Sequence, residues 1–298
     1  MHVPPSAALM IVAAVACFSV TEATAKYLTA TYPVMLLVWA RYVVQAASLA
    51  LWFGPQIGTR LVRTPRFRLQ LLRSLILVSS SVCFFTALKG LPLADATAIN
   101  YSTPVVVVLI AVVFLKEKMT PSRWAFVVAG FIGMLLIVRP GASILHGSAG
   151  FGIAAAGLYA VFQILTRTLS REDPRTTLFY PALCGTVLLT PFVPVLADSL
   201  ALPWRHLGLI AVMGAFGTCG HFLFIRAFAR APASALTPFS YTQLVWSVLL
   251  GWLVFGQFPD RITLAGIGVI AGSGLLLAWH ERRQALLAAV ARGPTAVD

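Results

Sequence analysis

Pro92-Leu93-Ala94-Asp95-Ala96-Thr97-Ala98-Ile99-Asn100-Tyr101-Ser102-Thr103-Pro104 opens one apolar run, and Pro232-Ala233-Ser234-Ala235-Leu236-Thr237-Pro238-Phe239-Ser240-Tyr241-Thr242-Gln243 opens another. Sliding the chain by 140 residues lays Pro92, Thr97, Tyr101, Val105, Val108 and Leu109 on Pro232, Thr237, Tyr241, Val245, Val248 and Leu249. Ten positions agree over Ala87 to Leu136, about twice what so biased a composition gives by chance. The recurrence predicts two copies of one unit, residues 1–141 and 142–281, followed by a cytoplasmic C-terminal tail at 282–298.

Working outward from this pair, long apolar windows predict five spans per copy. The first five are Ala8 to Leu28, Val34 to Phe53, Leu69 to Leu88, Leu93 to Leu115 and Ser122 to Val138. The second five are Ala149 to Leu169, Thr176 to Leu196, Trp204 to Phe228, Ala233 to Phe255 and Ile262 to His280. Pro33, Pro92, Pro121, Pro140, Pro203, Pro232 and Pro259 stand in the gaps, where they disfavour helix continuation. Five is odd, so the second copy must cross the bilayer in the opposite sense to the first. The expected fold is therefore all-α and integral to the membrane, with ten transmembrane helices as two inverted five-helix repeats. That architecture suits transporters that expose one central site to each side in turn.

Composition agrees and excludes other classes. The 298 residues are 59% hydrophobic and only 10% charged, with mean hydropathy +0.88, so lipid is the main solvent and little chain is left for soluble domains. No dyad alternation marks a β-barrel. The net charge of +13 comes from lysines and arginines in short interruptions between apolar runs, which argues against nucleic acid as a partner. Outside that set, Lys26, Lys89, Arg139, Arg205 and Arg261 fall on the opposite side of the ten-span topology and Arg41 inside a span. The other sixteen, with Arg60, Arg63, Arg66, Arg68 and Arg73 as the densest group, share the side of the termini. Basic loops stay cytoplasmic, which places both termini on the cytoplasmic side. Met1 to Leu28 has no basic leader or clear cleavage site and reads as a retained first helix. Cys17, Cys83, Cys184 and Cys219 fall in four different runs without metal-ligand spacing, and no cofactor motif is present.

Gly90-Leu91-Pro92-Leu93-Ala94-Asp95-Ala96-Thr97-Ala98-Ile99, then Pro104 and Lys116-Glu117-Lys118, resembles the fourth-helix signature of the drug/metabolite transporter superfamily, EamA type. Gly130-Phe131-Ile132-Gly133-Met134-Leu135-Leu136-Ile137-Val138-Arg139-Pro140 resembles that family's fifth helix, and Arg226 to Leu277 a degenerate second copy. The resemblance implies a ten-helix inner-membrane carrier of amino acids, nucleotides, vitamins or other metabolites. It further implies a cavity among helices one to four and six to nine, with helices five and ten peripheral. Four-helix exporters of the same superfamily carry a membrane glutamate in helix one. Aligning Lys26 with their helix-end lysine puts Phe18 at that site instead of Glu22.

Glu22 is the one acidic residue well inside a span. Counting along the helices puts it roughly 6 Å to the outer side of the first midpoint and Arg41 roughly 4 Å to the outer side of the second. The two can meet at one depth, and Lys26, one turn from Glu22, can also reach it. The pair reads either as a static ion pair joining helices one and two or as groups facing an aqueous cavity, where they bind charged substrate or a proton. Asn100 and Tyr101 with Tyr241 and Gln243, and Tyr159 with Gln163, are polar groups that need partners in hydrocarbon, whether cavity water or neighbouring helices. Pro104 frees a backbone carbonyl one turn back, as broken helices do at ligand sites. His221 is the one histidine well inside a span. Ala129 to Gly133, Gly268 to Gly272, and Gly214, Gly217 and Gly220 permit close helix contact, within a monomer or across a homodimer face.

The expected activity is secondary transport of a small polar or amphipathic metabolite, as an exporter or exchanger. A channel or receptor is the alternative. An intramembrane enzyme is a weaker one, because Glu22 has no facing carboxylate and Ser79 to Ser81 sit in no nucleophile motif.

Overall fold

Proline fixes where many of the helices begin, because its missing N–H is no loss in a first turn whose donors lack partners. A computed structural model of the chain describes residues 4–103, 106, 110, 121–138, 147–169, 172–194, 203–228, 230, 236 and 239–291. Among them are ten α-helices and no strand. The first five are α1 (Pro5–Thr29), α2 (Val34–Ile57), α3 (Phe67–Gly90), α4 (Leu93–Asn100) and α5 (Pro121–Val138). The second five are α6 (Gly147–Thr168), α7 (Pro174–Leu189), α8 (Trp204–Phe228), α9 (Thr242–Phe255) and α10 (Arg261–Ala291). Pro5, Pro121 and Pro174 are the first residues of their helices, and Pro33 and Pro92 cap α2 and α4.

Five stretches, Pro5–Thr29, Val34–Leu61, Phe67–Gly90, Gly147–Thr166 and Trp204–Phe224, are long and apolar enough to cross a membrane. The ten windows read from the sequence correspond in order to the ten helices, with three notable differences in extent. The fourth, expected to run unbroken to Leu115, is interrupted: α4 stops at Asn100, Tyr101 and Ser102 form a turn, and Thr103, Val106 and Ile110 are helical again. The ninth, expected to run unbroken from Ala233, is interrupted likewise: Leu236, Phe239 and Ser240 are helical, Tyr241 is a turn, and α9 begins at Thr242. The tenth passes His280 and continues to Ala291, so the segment read as a tail begins as helix. Lys116-Glu117-Lys118, Arg139 and Pro140 lie outside the described residues.

Large apolar side chains cover much of the surface, and a set of polar ones is buried among the apolar core. Leu51 is 79% and Leu253 72% exposed, while Ser19, Gln70, Ser74, Thr97 and Ser247 are fully buried. That inversion is what a hydrocarbon solvent demands, since it offers polar side chains no hydrogen bonds. Lipid also removes the hydrophobic drive between helices, which leaves close packing and hydrogen bonds to hold the bundle. α1 packs along α8 and α3 along α6; α2 meets both α7 and α8, α4 meets α9, and α5 lies along α10. Exchanging the first five helices for the last five maps these main pairings onto one another, apart from α2 on α8, which maps onto the observed α7 on α3.

Small residues make the closest approaches possible. A Cβ on Gly133 of α5 would stand 2.9 Å from the Gly266 carbonyl of α10, and one on Gly220 of α8 would stand 3.1 Å from the Ala14 carbonyl of α1. The Ala129 to Gly133 step is thus used inside the chain, while Gly268 and Gly272 face open space.

The connection from α2 to α3 is bonded to the one from α6 to α7. Thr64 donates to Glu172 Oε2 at 2.9 Å, Arg66 to the Thr168 carbonyl at 2.9 Å, and Tyr180 to the Val62 carbonyl at 2.7 Å. Thr176 donates to the Arg60 carbonyl at 3.2 Å, and Gln70 and Arg73 donate to Thr177. At the opposite end Tyr32 Oη lies 2.6 Å from His206 Nδ1, and Trp39 donates to Thr190 at 3.0 Å.

Replacing Gly133 by valine forces α5 off α10 and should destabilise the fold by about 1–3 kcal/mol. Gly268→Val, in open space, should change stability far less; thermal unfolding of both in detergent measures the difference.

Candidate functional site

Glu22 lies in the last two turns of α1, 8% exposed, in a position where an ionised group costs about 2.5–3.5 kcal/mol unless it finds donors. It finds two. Thr97 of α4 donates to Oε2 at 3.0 Å, and Gln243 of α9 donates through Nε2 to Oε1 at 2.7 Å. Thr97 Oγ1 also lies 2.9 Å from the Leu93 carbonyl, so its single proton has two acceptors in reach. A neutral Glu22 could donate from Oε2 to Thr97, which then donates to Leu93. The geometry therefore holds the carboxyl group in either protonation state.

Gln243 passes the network on. Its Oε1 stands 3.0 Å from the Tyr101 hydroxyl, which also donates to the Ser240 carbonyl at 2.8 Å. Tyr101 and Tyr241 are the turn residues at the ends of α4 and α9, and their rings meet with centroids 5.4 Å apart. A tyrosine at one interruption thus satisfies a carbonyl beside the other. The carbonyl expected to be freed by Pro104 is that of Asn100, and the Thr103 hydroxyl takes it at 2.6 Å.

Four of the residues singled out from the sequence, Glu22, Tyr101, Tyr241 and Gln243, therefore come together, with half-buried Asn100 beside them. The others lie elsewhere. Arg41 does not pair with Glu22: it donates to Ser81 Oγ at 3.0 Å and stacks 4.4 Å over the Tyr42 ring, because its side of α2 faces α3. Lys26 does not pair with it either, since its ammonium donates to the Leu88 and Leu91 carbonyls at 3.1 and 2.5 Å, where α3 ends. His221 packs its ring on Phe18, centroids 4.8 Å apart. Tyr159 stacks on Phe162, and Gln163 is exposed.

Sequence reading missed Thr97, noted only as a repeat identity, and Arg73, assigned to the cytoplasmic interruptions. Arg73 sits in the second turn of α3 and is 3% exposed. Its place within the third apolar window, Leu69 to Leu88, was the available signal.

The EamA-like transporter family matches this chain twice, over residues 5–139 and again over 148–279. The chain belongs to the EamA-like transporter family. It is accordingly a membrane transporter and not an enzyme. It is 27% identical to an S-adenosylmethionine uptake transporter of Rickettsia bellii, over 89% of this chain and 90% of that one. It is 31% identical to a riboflavin transporter of Brucella anthropi, over 82% and 88%, and 28% identical to a pseudopaline exporter of Pseudomonas aeruginosa, over 88% and 92%. A crystal structure with 20% sequence identity shares the fold at a TM-score of 0.64, over 94% of this chain and 98% of that one.

Tyr101→Phe strands the Ser240 carbonyl and one Gln243 oxygen, and thermal unfolding should report a loss of about 1–2 kcal/mol. Tyr241→Phe, whose hydroxyl makes no hydrogen bond among the described residues, should lose less than half as much.

Proposed function

We propose that the chain is a secondary transporter of the bacterial inner membrane that moves a small polar or amphipathic metabolite by alternating access. Its working parts are two inverted halves, residues 1–141 and 142–281, each crossing the bilayer five times, with both termini cytoplasmic. The observation that carries this reading is the bonded line from Thr97 through Glu22 and Gln243 to Tyr101 and the Ser240 carbonyl. It joins α1 and α4 of one half to α9 of the other at the two helix interruptions, where a polar solute can exchange hydrogen bonds with groups that already need them.

Other observations support the arrangement. The main helix pairings are preserved when the halves are exchanged, and the family matches once in each half. In the proposed topology the exposed Trp52, Trp124 and Trp279 fall toward the cytoplasmic interface and Trp204 and Trp252 toward the outer one, with Trp246 between them. Named relatives that carry S-adenosylmethionine, riboflavin and pseudopaline favour an organic metabolite over an inorganic ion. The working unit is a monomer or a homodimer: α10 occupies the small-residue face of α5, which leaves Gly268 and Gly272 of α10, in open space, as the face a second copy would use.

Proteoliposomes preloaded with mixed amino acids, vitamins and nucleosides should show saturable flux that accelerates when substrate is present on both sides. Glu22→Gln should lower that flux at least tenfold with folded yield retained; full flux in the variant would reduce Glu22 to scaffold. Flux that rises linearly with concentration and shows no exchange would instead identify a channel. Cysteines placed at Tyr101 and Tyr241 should react with aqueous thiol reagents and be protected by substrate. No labelling at either position from either side would remove both from the pathway.

A further inference from the structure

Two guanidinium groups lie inside the bundle with nitrogens that no described residue satisfies. Arg73 is 3% exposed; its Nη2 donates to the Thr177 carbonyl at 2.8 Å and its face lies 4.7 Å over the Phe162 ring. Its Nε and Nη1 are buried without a partner. Arg41 is 8% exposed and packs between the rings of Tyr42 and Phe85, with Nη2 on Ser81 and a buried Nε that also lacks a partner. Among the described residues each cation therefore has one hydrogen bond, to a neutral oxygen. The carboxylate buried among the described residues, Glu22, is held by Thr97 and Gln243 instead.

The two charges bear on one region. Both lie against α3: Arg73 stands on it, and Ser81, which takes Arg41, is eight positions further along the same helix, roughly 12 Å at 1.5 Å per residue, while Tyr159 stacks on the same Phe162 that underlies Arg73. Arginine keeps its charge and presents five donors in a fork that matches the paired oxygens of a carboxylate or phosphate. Two such forks, desolvated, backed by aromatic rings and short of acceptors, form half of a binding site. We propose that Arg41 and Arg73 together receive the anionic group, a carboxylate or a phosphate, of the transported solute. The proposal rests on the transport reading and assigns its substrate class: a metabolite bearing negative charge.

The test is thermal unfolding of the full chain, purified in an uncharged detergent and followed by tryptophan fluorescence at fixed ionic strength. The probes are matched twins: nicotinate and nicotinamide, N-acetyl-phenylalanine and its amide, uridine monophosphate and uridine, with inorganic phosphate alone and cardiolipin as separate arms. Carboxylate or phosphate members should raise the unfolding temperature while their neutral twins do not. Arg73→Gln and Arg41→Gln should each raise the concentration needed at least tenfold. Where a glutamine variant fails to fold, Arg73→Lys or Arg41→Lys keeps the charge but loses the fork, and should weaken the response at least threefold. The proposal is overturned if no acid or phosphate stabilises the protein, if neutral twins do as well, if the arginine variants respond like the parent, or if cardiolipin alone gives the shift. Acids that stabilise the protein yet never cross or exchange in proteoliposomes would retain the anion site and refute transport. Saturable exchange of neutral solutes alone would retain transport and refute the anion site.

Discussion

A carboxyl group surrounded by hydrocarbon must be given donors by the protein, and Glu22 receives them from both halves of the chain. Thr97 on α4 and Gln243 on α9 are 146 positions apart, yet both reach α1 at one depth. Each bond constrains more than itself. α4 must present Thr97 inward, α9 must begin where Gln243 can turn to Glu22, and the ring of Tyr101 then falls where its hydroxyl meets the Ser240 carbonyl. The alternative, an acid with no partner in lipid, costs several times the worth of one ordinary hydrogen bond.

The interruptions of α4 and α9 follow from the same constraint. A continuous helix satisfies its own backbone and has nothing to offer a solute. A break near mid-bundle exposes carbonyls and amides that must find other partners, which hydroxyl side chains such as Thr103 and Tyr101 supply. These partners are side chains and can rearrange, whereas helical bonds cannot without unwinding. Polar chemistry is thereby concentrated at one level, while Gly133 on Gly266 and Gly220 on Ala14 lock the surrounding helices by contact alone.

Much of this was legible in the sequence. The order of ten helices and the prolines that start them follow from hydropathy and from a missing N–H. Glu22 stands out as one acid in an apolar run, and the 140-residue recurrence alone pairs Tyr101 with Tyr241. Its partners were not legible, because depth along a helix can be counted but rotation about its axis cannot. Arg41 shares the depth of Glu22 yet faces Ser81 on α3. The ends of α4 and α9 escaped notice for a related reason: the windows are apolar straight through, and the turns at Tyr101 and Tyr241 are held by contacts between residues some 140 positions apart. Arg73 was hidden by its neighbours, Arg60, Arg63 and Arg66 of the α2–α3 connection and Arg68 at the start of α3.

The bonds that join the α2–α3 connection to the α6–α7 connection have a consequence for how the molecule rests. Among the described residues six hydrogen bonds cross between the halves there, against two at the far end, where Tyr32 meets His206 and Trp39 meets Thr190. Under the alternating access proposed above, halves fastened so unequally would not part evenly: parting the crowded end disrupts several contacts together, while the sparse end gives way after two, which would bias the empty carrier toward one face of the membrane.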